Sequence, residues 1–119
     1  MTVIVTDTGF SPEYWTRGFS TPQDRTNDVV ALDLAPDTDP DALIDCLQGV
    51  QMVRIAFPSF ADGRGFTIAR TLRRKGYKGR LRARGHVLAD QYAIARRSGF
   101  DEVEIDRSLA ERQPEDQWL

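Results

Sequence analysis

The sequence predicts an α/β fold of repeated strand–helix units, with a mainly parallel sheet of about five strands and helices chiefly on one face. Three observations predict it. Short apolar or alternating runs recur between stretches whose apolar residues return at helical spacing. Two of those helical stretches close alike, with Arg73-Arg74-Lys75-Gly76-Tyr77 and Arg96-Arg97-Ser98-Gly99-Phe100, and each closure leads into a strand. Cations there suit the negative helix end, and glycine suits the left-handed cap. Finally, the last two strands alternate sharply. Leu81 and Ala83 oppose Arg80, Arg82 and Arg84, and Val103 and Ile105 oppose Glu102, Glu104 and Asp106. Strands covered by helices on both faces read instead as continuous apolar runs. An open half-barrel and a flavodoxin-like sheet both fit this pattern.

In chain order, residues 2–6 alternate around Val3 and Val5 and read as a strand. Residues 8–27 are rich in Gly, Pro, Ser and Thr and carry Tyr14, Trp15 and Phe19, so an irregular flap or hairpin is expected, its aromatics docked on the domain. Val29 to Leu34 is the second strand. Asp39 then caps a helix that Pro40 opens, with Ala42, Leu43, Cys46, Leu47 and Val50 on its apolar stripe and Cys46 a buried, inert thiol. Val53 to Phe57 is the third strand. The helix after it turns Phe66, Ile68, Ala69 and Leu72 inward and Arg70, Arg73 and Arg74 outward. Another helix spans Ala89 to Ser98. Paired in parallel, the strands at 80–84 and 102–106 oppose an arginine row to a carboxylate row, and Arg54 extends the basic row. Their charged face is left to the N-terminal segment, solvent or a second molecule. Residues 107–119 form a C-terminal tail that begins as a short helix and ends with Trp118 as a loose anchor.

At 119 residues the chain reads as a single α/β domain over residues 1–119. Its balance of apolar and charged residues is that of a folded, soluble protein. The N-terminus lacks a signal core, no apolar run approaches a membrane span, and one cysteine precludes an intrachain disulfide. A cytoplasmic location is the resulting expectation. Net charge is −2, unevenly spread: two basic against nine acidic residues in 1–50, twelve against two in 51–100, two against seven in 101–119. The basic middle suits an anionic partner or internal charge matching. Nucleic acid is disfavoured, since the pI is 5.3 and few aromatics interleave with the arginines.

The stretch Phe57-Pro58-Ser59-Phe60-Ala61-Asp62-Gly63-Arg64-Gly65-Phe66 organises the rest: a strand end, a tight turn and a helix start. Asp62 is expected as a structural cap. Ser59, Gly63, Arg64 and Gly65 are expected to bind an anion, the glycines freeing the backbone to present amides and Arg64 adding a charged donor. Ligands of parallel α/β folds gather at the carboxyl ends of strands, which brings Arg84, His86 and Asp106 into the candidate site. Arg84 is an anion contact. His86 and Asp106 are the candidate acid–base pair, and Asp90 is a second structural cap. The chain has no P-loop, no paired-cysteine motif, no nucleophile elbow and no metal-ligand cluster, and Gly63-x-Gly65 lacks the third glycine of a dinucleotide fingerprint. No cofactor or metal of its own is expected, and electron transfer would require a borrowed one.

The stretch from Phe57 to Phe66 resembles the bacterial family known as domain of unknown function 934. So do Leu72-Arg73, Gly79-Arg80-Leu81-Arg82-Ala83, Gly85-His86-Val87-Leu88-Ala89-Asp90-Gln91 and Gly99-Phe100-Asp101. That family carries the label of an oxidoreductase involved in sulfite reduction. The resemblance implies an accessory role in assimilatory sulfite reduction, by binding a small oxyanion, or sulfite reductase or its electron donor. Two rival expectations stand beside it: a small acid–base enzyme acting on an anionic substrate through His86 and a carboxylate, and a homodimer burying its charged face.

Overall fold

A computed structural model describes residues 2–22, 30–43 and 47–119. Cys46, and the parts of the predicted flap and second strand between residues 23 and 29, lie outside the described residues. Among those described, six strands form one sheet: β1 (Thr2–Thr6), β2 (Gly9–Pro12), β3 (Ala31–Leu34), β4 (Met52–Phe57), β5 (Arg80–Gly85) and β6 (Glu102–Asp106), in the order β2-β1-β6-β5-β4-β3. The four from β3 to β6 run parallel and neighbour one another in sequence order. That succession has no switch point, so the flavodoxin-like alternative is set aside. β1 pairs antiparallel with both β6 and β2. The extra strand over the expected five is β2, which folds back on β1 through the Asp7–Thr8 turn at the start of the segment predicted to be irregular.

The alternation in the strands is resolved as the register predicts. Leu32, Val53 and Leu81 line up in one row, and Leu34, Ile55, Ala83 and Val103 in the next. These pack with Leu43 of α1 (Pro40–Leu43), with Phe66, Ile68, Ala69 and Leu72 of α2 (Arg64–Arg74), and with Tyr92 and Ala95 of α3 (Tyr92–Ser98). Leu109 and Ala110 of α4 (Arg107–Arg112) join the same core. Helices thus cover one face. Asp39 caps α1 as expected, accepting the Asp41 N–H at 3.0 Å. Both Gly-aromatic closures bond as C-caps: Tyr77 N–H donates to Leu72 O, and Phe100 N–H to Ala95 O, each spanning the last turn.

Two expectations about the outer residues are corrected. Arg73 does not face solvent. It donates to Gly99 O, Tyr77 O and Gly79 O and to the Asp101 carboxylate, tying the end of α2 to the starts of β5 and β6. The carbonyls left open at helix ends and strand starts need donors, and a guanidinium supplies five. Trp118 is no loose anchor either. It is buried, edge-on to Phe10 and Tyr92, and donates its indole N–H to Gln113 O at 2.8 Å.

On the other face, Asp33, Arg54, Arg82 and Glu102 form one row, with Arg84 and Glu104 in the next. Arg82 reaches Glu102 at 2.6 Å and Glu104 at 2.8 Å, and Arg54 reaches Asp33 at 2.7 Å and Glu104 at 3.1 Å. The segment from Glu13 to Ser20 straps this ladder from edge to edge. Glu13 accepts from Arg82 at 2.7 Å, the Tyr14 hydroxyl donates to Glu102 at 2.6 Å, and the Phe19 ring lies 3.7 Å from the Arg54 guanidinium. Ser20 then bridges to Leu32 on the β3 edge. The N-terminal segment thus covers the charged face at Arg54 and Arg82, while Arg84 in the next row is half exposed. An arginine buried this deeply demands partners, and Arg82 is completely inaccessible.

Candidate functional site

The carboxyl ends of β4, β5 and β6 open on one rim. Gly85, at φ +116°, lies so close to the Phe57 carbonyl that a Cβ would collide with it, and His86 N–H donates to that same oxygen at 2.9 Å. Strand β5 therefore leaves the sheet with Arg84 on the charged face and the His86 ring exposed above it. Phe60 of the β4–α2 turn meets the imidazole edge-on at 5.1 Å. The turn and the histidine thus share a rim, as the sequence predicts. Between β5, β6 and α4 lies a hollow of about 270 Å³ lined by Thr2, Arg84, Gly85, His86, Glu104, Ile105, Asp106, Leu109 and Arg112. A second, shallower hollow joins Arg84 and His86 to Ala56, Phe57 and Pro58.

Charge in the larger hollow is unequally committed. Glu104 is engaged by Arg82 and Arg54. Asp106 caps α4, accepting from Leu109 N–H and the Ser108 hydroxyl, each at 2.8 Å. Those two bonds, with Arg112 and His86 nearby, hold its carboxyl below the usual carboxylate range. A carboxylate so stabilised is a weak base, and no hydrogen bond joins it to His86 among the described residues. Arg84, by contrast, is half exposed and stands 3.7 Å from Asp33 and 3.8 Å from Glu104, beyond hydrogen-bond reach of either.

The Ser59–Gly65 turn closes on itself. Ser59 accepts Ala61 N–H on its hydroxyl and Asp62 N–H on its carbonyl. Asp62 accepts Arg64 N–H and pairs with the Arg64 guanidinium at 2.7 Å, but the N-cap of α2 is Gly63, which has no side-chain cap bond. The cap expected of Asp62 is therefore corrected to a bond reaching the first helical amide from one residue further out. Gly63 has φ −91°, and the positive-φ glycines do not include Gly65. Gly65 is required for another reason, since a side chain there would strike the Phe57 ring. The expected freeing of the backbone by these two glycines is therefore corrected, and Arg64 pairs with Asp62 and does not line the hollow. The cap expected of Asp90 is made by its neighbour. Gln91 accepts Leu88 N–H at 2.9 Å and donates to Phe60 O at 3.0 Å, holding the turn beside the histidine.

Arg112 and Phe60 are the site residues that sequence reasoning missed. Phe60 stood within the organising stretch, but nothing marks a lone aromatic as a neighbour of a histidine 26 positions on. Arg112 lies in a polar tail without periodicity. Among the described residues no group of three His, Cys, Asp or Glu side chains is placed to hold a metal ion, and no helix is long and apolar enough to cross a membrane. Comparison with curated proteins and with solved structures found no match. The model of a family described as bacterial protein of unknown function, DUF934, matches residues 31–118, and the chain belongs to that family.

Proposed function

We propose that this chain is an accessory protein of assimilatory sulfite reduction, and that it works by binding a small oxyanion in the hollow between β5, β6 and α4. One observation carries the binding reading. Arg84, His86 and Arg112 line a single hollow beside Glu104 and Asp106, whose carboxylates are also bound by Arg82 and Arg54 and by the first turn of α4. An anion there would meet two guanidinium donors and an imidazole N–H, a set suited to a tetrahedral or pyramidal oxyanion. The pathway rests on the family resemblance, and the oxyanion it points to is sulfite. The chain itself supplies no electron carrier, so its role is to hold or hand over the anion, with sulfite reductase or its electron donor as the partner.

The rival readings have less support. Asp106 is used as a helix cap and Arg64 lies outside the hollow, which leaves His86 without the base the acid–base reading needs. A homodimer through the charged face would require the strap to leave. Calorimetric titration with sulfite tests the proposal: saturable binding is expected for the wild type and loss of it for Arg84→Ala, at unchanged thermal stability. Absence of binding in the wild type would refute it.

A further inference from the structure

The arginines of the sheet each face carboxylates, whereas three on the outer surface of the helical layer have no carboxylate partner among the described residues. Neither α2 nor α3 contains an Asp or Glu. Arg64, Arg73 and Arg96 find carboxylates on other elements, in Asp62, Asp101 and Asp7. Among the described residues Arg70 and Arg74 donate to hydroxyls, Arg70 to Ser98 at 3.3 Å and Arg74 to Thr71 at 3.3 Å, and neither pairs with a carboxylate. Arg97 is exposed and has no carboxylate partner among the described residues. Arg70 and Arg74 lie one turn apart on α2, and the Arg70–Ser98 bond sets Arg70 against the last turn of α3, the turn that carries Arg97. Ile94, one turn before Ser98, is 40% exposed in the same area. The result is a basic plate with an apolar residue inside it.

We propose that this plate docks an acidic segment of a partner protein, with carboxylates on Arg70, Arg74 and Arg97 and an apolar side chain on Ile94. Uncommitted arginines around an exposed aliphatic residue are what a charge-steered protein contact requires. A nucleic acid needs a longer basic track, and this chain is acidic beyond its middle third. A second copy seating its own acidic tail here is the competing occupant, and self-association at low salt tests for it. The arginines sit on a convex helical surface, so a small anion has no hollow to enter. The strap covers the sheet's charged face except at the Arg84 rim, so the helical side is the broader cationic surface left to a large partner. The inference is independent of the oxyanion site.

The probes are two synthetic peptides, several glutamates flanking a single leucine and the same peptide with serine there, followed by fluorescence anisotropy at low salt. The wild type binds the leucine peptide more tightly. Arg70→Gln, Arg74→Gln and Arg97→Gln together weaken it about tenfold or more, a loss typical of removing steering charges. Ile94→Ser abolishes the preference for leucine, and Arg17→Gln, on the strap, changes nothing. Should the triple variant not fold, Arg97→Gln alone still weakens binding. The proposal fails if neither peptide binds or the triple variant binds equally well. It fails equally if a short DNA duplex competes better than the peptide, or if the plate instead drives self-association at low salt.

Discussion

Arg82 and Arg84 stand two residues apart on the same face of β5, yet they inhabit opposite worlds. Arg82 is inaccessible and grips Glu13, Glu102 and Glu104. Arg84 is 49% exposed and meets Asp33 and Glu104 only in long ion pairs at 3.7 and 3.8 Å, without a hydrogen bond. The strap makes the difference. It crosses the ladder at Arg54 and Arg82 and leaves the rim one register row further on uncovered. A single alternating strand therefore contributes a structural cation and a binding cation, and only the covering segment tells them apart.

The largest effect belongs to the covered side. Arg82→Met leaves Glu102 buried with Arg80 as its remaining cation, and a loss of about 3–5 kcal/mol is expected in urea denaturation. A loss under about 1 kcal/mol would mean that the ladder is held by packing alone. Next comes Phe19→Ala, which removes the ring over Arg54 and costs about 1–2 kcal/mol, with faster hydrogen exchange in the strap as its local sign.

The same strap gives a pH signature. Burial raises the pKa of Glu13, but hydrogen bonds from Arg82 and from the Trp15 and Tyr14 amides outweigh it, and the carboxyl is held below its ordinary 4.5. A carboxyl depressed in the folded state adds its full stabilisation above its unfolded pKa and loses it as the pH falls through the folded value. Strap docking is therefore complete above pH 4.5 and weakens below it. The Trp15 indole resonance reports it, with the buried Trp118 indole as internal reference. Glu13→Gln flattens that response, and an unchanged response would mean that Glu13 does not hold the strap. The smallest change in stability is expected for Arg84→Ala, within about 0.5 kcal/mol. A larger loss would place Arg84 with Arg82 as scaffolding.

Much of this was legible in the residues because it follows from period. The two-residue alternation at 80–84 and 102–106 fixed a one-sided sheet and the facing charge rows, and the Gly76 and Gly99 closures marked two helix ends. What sequence could not disclose depends on contacts between distant segments. Glu13 meets Arg82 across 69 positions, and Phe10 N–H meets Glu115 across 105. Arg73 looked outward because helical spacing ignores the carbonyls that the next two turns bring to it. In the Asp62–Gly65 turn, composition does not reveal that Asp62 already takes the Arg64 amide and guanidinium. The rim itself was predictable from strand polarity, but Arg112 enters it only through the packing of α4.

The most direct test is to map sulfite binding onto the amides by NMR titration. The account predicts saturable shifts centred on Arg84, Gly85, His86 and Arg112, absent in Arg84→Ala, with the strap and the Asp62–Gly65 turn undisturbed. Shifts centred on that turn, or none at the rim, would contradict it.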